Sequence, residues 1–70
     1  MAQEEVKKYT NTNISKIIDE YIHSERDRQV LKRRFIDGIY IEPLAEEFDL
    51  SPRTVKRIIS RHEYEIFRHL

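Results

Sequence analysis

Cysteine and tryptophan are absent from this sequence, glycine occurs once and proline twice. Without cysteine there can be neither a disulfide framework nor a thiolate-ligated zinc site. So little glycine and proline, with 37% charged and 39% hydrophobic residues, excludes a collagen-like or low-complexity chain and describes a globular, helical one. Apolar runs stop at two or three residues, as at Ile39-Tyr40-Ile41, which is far too short to span a membrane as a helix. The opening Met1-Ala2-Gln3-Glu4-Glu5 lacks the basic-then-apolar pattern of a secretory signal. The expectation is a soluble, cytoplasmic protein. Seventy residues make one small domain and leave little room to bury a catalytic cleft.

Charge of one sign is also missing overall, because 13 Lys and Arg balance 13 Asp and Glu. The distribution is uneven. Residues 1–23 carry net −1, residues 24–50 net −2 and residues 51–70 net +3. Affinity for phosphate follows local clustering rather than the total, so the last segment points toward nucleic acid.

Residues 1–13 are polar apart from Val6 and Tyr9 and read as a flexible tail, with the folded domain at 14–70. Asn13 suits an N-cap, because its side-chain oxygen can accept from first-turn amides. Ile14, Ile17, Ile18, Tyr21 and Ile22 then trace one apolar stripe of a short helix. Ser24 caps a second helix, and Asp27 three residues later resembles a capping box. Val30, Leu31 and Phe35 form the inner side of that helix, and Gly38 fits a left-handed closing position. A third helix covers about 42–48, with Pro43 tolerated in its first turn and Leu44, Ala45 and Phe48 inward. After the turn Asp49-Leu50-Ser51, Ser51 as cap and Pro52 at the first position start a fourth helix. Val55, Ile58, Ile59, His62, Ile66 and Leu70 mark its inner stripe. No stretch alternates as a strand does.

The third and fourth helices, joined by three residues, make a helix-turn-helix pattern. Ala45 is small where the two must approach, and Leu50 plugs the turn. Off the inner stripe lie Arg53, Thr54, Lys56, Arg57, Ser60 and Arg61, and residues 51–62 hold four Lys or Arg and no acid. An α-helix fits the major groove, so such a face can set these groups against base edges and phosphates. Ser51, Arg53, Thr54, Lys56, Arg57, Ser60 and Arg61 are the candidate DNA-binding residues, with Arg33 or Arg34 as further phosphate contacts.

From about Ile14 to Leu70 the chain resembles region 4 of the sigma-70 family of RNA polymerase specificity factors. Three segments carry the resemblance: residues 24–31 (Ser24-Glu25-Arg26-Asp27-Arg28-Gln29-Val30-Leu31), residues 34–38 (Arg34-Phe35-Ile36-Asp37-Gly38), and residues 41–51 followed by Thr54-Val55-Lys56-Arg57-Ile58. The resemblance implies an all-α, four- or five-helix bundle of the winged-helix-like DNA-binding superfamily, docking in the major groove of promoter DNA and touching RNA polymerase. Pro52, Arg53, Lys56 and Arg57 match the family's base-reading positions. Pro52 and Arg53 depart from its usual residues, so its DNA sequence does not carry over. Asp49 stands where Gly is usual, and Tyr40 where a small hydroxyl caps the third helix. No segment corresponds to the promoter-melting region, which leads us to expect a stand-alone domain of a phage or mobile-element regulator, monomeric or homodimeric.

Other readings share these residues. Ser51-Pro52-Arg53-Thr54-Val55-Lys56 also looks like a LuxR-type recognition helix, which would imply a dimer on a palindromic site. A protein-interaction module docking through Ile36, Ile39, Tyr40 and Phe67 is a third reading, and a viral packaging or replication protein a fourth. No enzymatic function or cofactor is expected. His62 and His69 stand seven residues apart, too far for one metal ion, and Glu46 and Glu47 point about 100° apart on a helix. Tyr64 and Phe67 lie partly off the inner stripe, as exposed aromatics or part of a dimer seam.

Overall fold

The computed structural model describes residues 11–70, which form four helices and no strand. We label them α1 (Asn11–Tyr21), α2 (Glu25–Phe35), α3 (Ile41–Glu47) and α4 (Pro52–Arg68). α2 and α4 each pack on both other helices and on one another, whereas α1 and α3 meet only through them. This is the all-α helix-turn-helix bundle that the periodicity predicts. Residues 1–10, most of the expected tail, lie outside the described residues.

The core is one cluster. Ile14, Ile17, Ile18 and Ile22 from α1 meet Val30 and Leu31 from α2, Leu44 and Ala45 from α3, and Val55, Ile58, Ile59 and Ile66 from α4. Burying an aliphatic side chain stabilises by roughly 1.5–3 kcal/mol, so these positions dominate the energetics of so short a chain. Phe35, Phe48, Leu50 and Leu70 close its edges. Tyr21, expected on the inner stripe, is instead 40% exposed. Its ring stacks on His69 at 3.9 Å and 5°, and His69 in turn bonds Glu65 at 3.1 Å. Burying the phenol would have stranded its hydroxyl, whereas stacking keeps the oxygen wet and ties the end of α1 to the end of α4.

Two caps match expectation and two do not. Ser24 Oγ accepts from the Asp27 N–H at 3.3 Å, and Ser51 Oγ accepts from the Thr54 N–H at 3.1 Å, with Pro52 opening α4. Asn13 is not a cap, because α1 already starts at Asn11 and places Asn13 inside its first turn. Asp27 does not complete a capping box. It is a buried polar residue, 4% exposed, and its carboxylate turns into the fold to meet His62 Nε2 at 2.9 Å. A carboxylate only accepts, so His62 carries a proton on Nε2 and donates it. His62 is therefore an edge-of-core residue that ties α4 to the start of α2.

The turns are built on left-handed residues. Gly38 has φ 71 after α2, where the Asp37 N–H reaches Lys32 O at 3.4 Å and the Ile39 N–H reaches Arg33 O at 3.2 Å. Asp49 has φ 57 between α3 and α4, and is the one non-glycine residue of positive φ among those described. Asp adopts this conformation more readily than most residues, at a cost of about 1 kcal/mol. The turn it makes lets the Leu50 N–H reach Ala45 O at 2.8 Å, closing α3 and aiming α4 across it.

Candidate nucleic-acid interface

α4 has a buried side and a free side. Val55, Ile58, Ile59 and Ile66 are buried. Ser51, Arg53, Lys56, Arg57, Ser60 and Arg61 are exposed. The contact between α3 and α4 sets this orientation. Ala45, 3% exposed, lets the helices close, and Val55 and Leu44, both fully buried, fill the seam. The small side chain at 45 is thus what brings α4 close while its opposite side stays clear.

Thr54 is placed differently from its neighbours. It is half-buried, and its hydroxyl shares a hydrogen bond with Ser51 Oγ at 2.9 Å. Ser51 and Thr54 together build the start of α4, and the cations project from the turns that follow.

Pairing separates the cations of α2 from those of the first three turns of α4. All five Lys and Arg side chains of α2 are engaged. Arg26 pairs with Asp27 at 3.3 Å, and Lys32 with Asp19 at 2.8 Å. Arg28 pairs with Glu25 at 3.0 Å and also donates to Ile22 O at 2.7 Å. Arg34 donates to Ile39 O at 3.1 Å. Arg33 reaches both oxygens of Glu47 at 3.0 Å and Asp37 at 2.8 Å. The Glu47 carboxylate, with Asp37 behind it, raises the pKa of Arg33 above its ordinary value, since each bond favours the charged guanidinium. By contrast Arg53, Lys56, Arg57 and Arg61 make no hydrogen bond or ion pair among the described residues.

This bears on the two phosphate contacts expected on α2. Arg33 braces α2 to α3, and Arg34 holds the turn after α2, so a phosphate would have to compete with these partners for either guanidinium. Their partners sit 14 and 5 residues away in sequence. The Arg33 partner belongs to a different helix, and composition does not show it.

The family model of sigma-70, region 4 matches residues 24–61. The chain belongs to the sigma-70 region 4 family. No curated protein and no solved structure matches it. The region 4 match starts at the α2 cap Ser24, takes in α2, α3 and the turn after it, and stops at Arg61 within α4. It therefore takes in all seven candidate site residues and leaves out α1 and the last two turns of α4. Region 4 is a DNA-binding helix-turn-helix module rather than a catalytic one. Among the described residues no helix is long and apolar enough to cross a membrane. His62 and His69 have protein partners, Asp27 and Glu65 respectively.

Proposed function

We propose that this region 4 domain is a sequence-specific DNA-binding transcription regulator, with the first three turns of α4 in the major groove. Arg53, Lys56 and Arg57 face base edges, and Ser60 and Arg61 hold the bordering phosphates. Ser51 and Thr54 fix the start of the helix, close enough to the groove to add hydroxyl contacts. One observation carries the reading. The cations of α2 are engaged within the fold, while the four on the first three turns of α4 are exposed and have no partner among the described residues. Long cationic side chains held without an acid on a helix that fits the major groove suit a polyanion. The family match favours this reading over the LuxR-type one.

The test is duplex-DNA binding by fluorescence anisotropy across a salt series, wild type against Lys56→Ala/Arg57→Ala. With Arg61 the cation held on a phosphate, log affinity should fall with log salt at a slope of about −0.9 or steeper. The double variant should lose binding while staying helical by circular dichroism. A slope near zero for the folded wild type would refute the proposal.

A second surface supports contact with RNA polymerase. Tyr40 is 75% exposed beside the half-buried Ile36 and Ile39, well away from the cations of α4 in sequence. Tyr40→Ala should weaken co-purification with polymerase and leave DNA affinity intact.

A further inference from the structure

α4 runs two turns past the segment matched to region 4, and its outer face does not end where the match does. At about 100° per residue, Tyr64 and Arg68 both project within roughly 20° of the direction of Arg57. At 1.5 Å per residue they stand about 10 and 16 Å further along the helix axis. Tyr64 is 73% exposed, and its hydroxyl makes no hydrogen bond among the described residues. The Arg68 guanidinium lies 5.8 Å from the centre of the Tyr64 ring. That placement holds the charge over the ring, on the same face as Arg57. The acids nearby do not neutralise it. Glu65 is bonded to His69, and Glu63 points about 100° away from Tyr64.

The major groove is about 12 Å wide. With Arg53 and Arg57 at base edges, a residue 10–16 Å further along the same face has passed the groove floor and reached its sugar–phosphate wall. We infer that Tyr64 and Arg68 form a backbone clamp, in which the guanidinium held over the ring pairs with a DNA phosphate and the phenol hydroxyl donates to the same or the next phosphate. The clamp sets how deeply and at what angle α4 enters the groove without reading sequence. This inference rests on the DNA-binding reading above.

The experiment compares Arg68→Gln, Tyr64→Phe and Lys56→Ala/Arg57→Ala with wild type on two duplexes. One is selected from a random pool by the wild-type protein, and the other is its scrambled counterpart. Folding of each variant is checked by circular dichroism. Loss of one phosphate contact reduces the salt slope by about 0.9. Arg68→Gln should therefore lose affinity at low salt, and its deficit should shrink by about 3.5-fold between 50 and 200 mM salt. The deficit should be equal on both duplexes, leaving their affinity ratio unchanged. Tyr64→Phe, which removes one hydroxyl, should lose roughly 2- to 10-fold on both. An unchanged slope for Arg68→Gln, with binding abolished in Lys56→Ala/Arg57→Ala, overturns the clamp and leaves the DNA reading standing. A changed affinity ratio also overturns it, by making Arg68 a base reader. Full binding by Lys56→Ala/Arg57→Ala overturns both.

Discussion

Asp27 and His62 lie 35 residues apart and meet across the bundle at 2.9 Å, with side chains 6% and 18% exposed. Removing either partner leaves a different problem. In His62→Ala, the Asp27 carboxylate stays buried with only Arg26, 3.3 Å away and itself 53% exposed, to satisfy it. A buried charged acceptor short of a partner costs on the order of 3 kcal/mol. In Asp27→Ala, His62 can turn its ring nitrogen toward solvent, so the loss is about 2 kcal/mol. With both removed, neither orphan remains, and the total stays near 3 kcal/mol. The double-mutant cycle should therefore give a coupling of about 2 kcal/mol, with the histidine variant the weaker of the singles. Urea unfolding followed by circular dichroism measures this. For a chain of this size the slope is about 1 kcal/mol per molar, so His62→Ala should lower the midpoint by about 3 M. Domains this small hold roughly 3–5 kcal/mol in total, so the series is best run cold and in sulfate. Additive single losses, or a coupling below about 0.5 kcal/mol, would refute the pairing.

The interface and its support yield four more expectations. Arg33→Gln should leave the salt slope of DNA binding unchanged, because that guanidinium already holds Glu47 and Asp37, whereas Arg61→Gln should lower the slope by about 0.9 in the same anisotropy assay. Ala45→Leu should overfill the α3–α4 crossing, costing about 1–3 kcal/mol in urea unfolding and pushing α4 out of register for DNA. Ser51→Ala removes the acceptor for the Thr54 N–H and should cost about 1 kcal/mol in the same measurement. At Asp49, with φ 57, thermal melting should rank Gly at or above the native residue and Val well below it, since a β-branched residue resists that conformation most.

Much of the fold was legible because it rests on local rules. The apolar spacing of α1 and α4, the caps at Ser24 and Ser51, Pro52 at the first position and Gly38 after α2 each act over a few residues. The helix-turn-helix followed from them, and the exposed cations of α4 followed from the stripe they avoid. The misreadings concern residues whose partners are distant. Asp27 has the spacing of a capping box, but the carboxylate gains more from an imidazole on another helix than from an exposed amide nearby. Arg33 reads as a free cation until α3 brings Glu47 alongside. Tyr21 obeys the stripe but escapes burial by stacking on His69, a contact between the end of α1 and the end of α4. The start of α1 was displaced by three residues because consecutive Thr and Asn residues offer several equivalent caps.

α3 has seven residues, and the residue that caps it, Tyr40, contributes no side-chain hydrogen bond to the first turn. It has no basic residue in its last turn and carries Pro43 in its first. Helices shorter than about 12 residues are marginal in isolation, and this one has only Glu42 in its first turn as a charged support. It exists because Leu44 and Ala45 are buried against α2 and α4. The recognition element is therefore not a transplantable cassette. A peptide spanning residues 40–62 alone should be largely unstructured, and the seat of α4 comes into being only when the whole bundle condenses. During folding, and in any partially opened state, the ability to engage a duplex should appear and vanish with the last helix to form rather than with the long helix that makes the contacts.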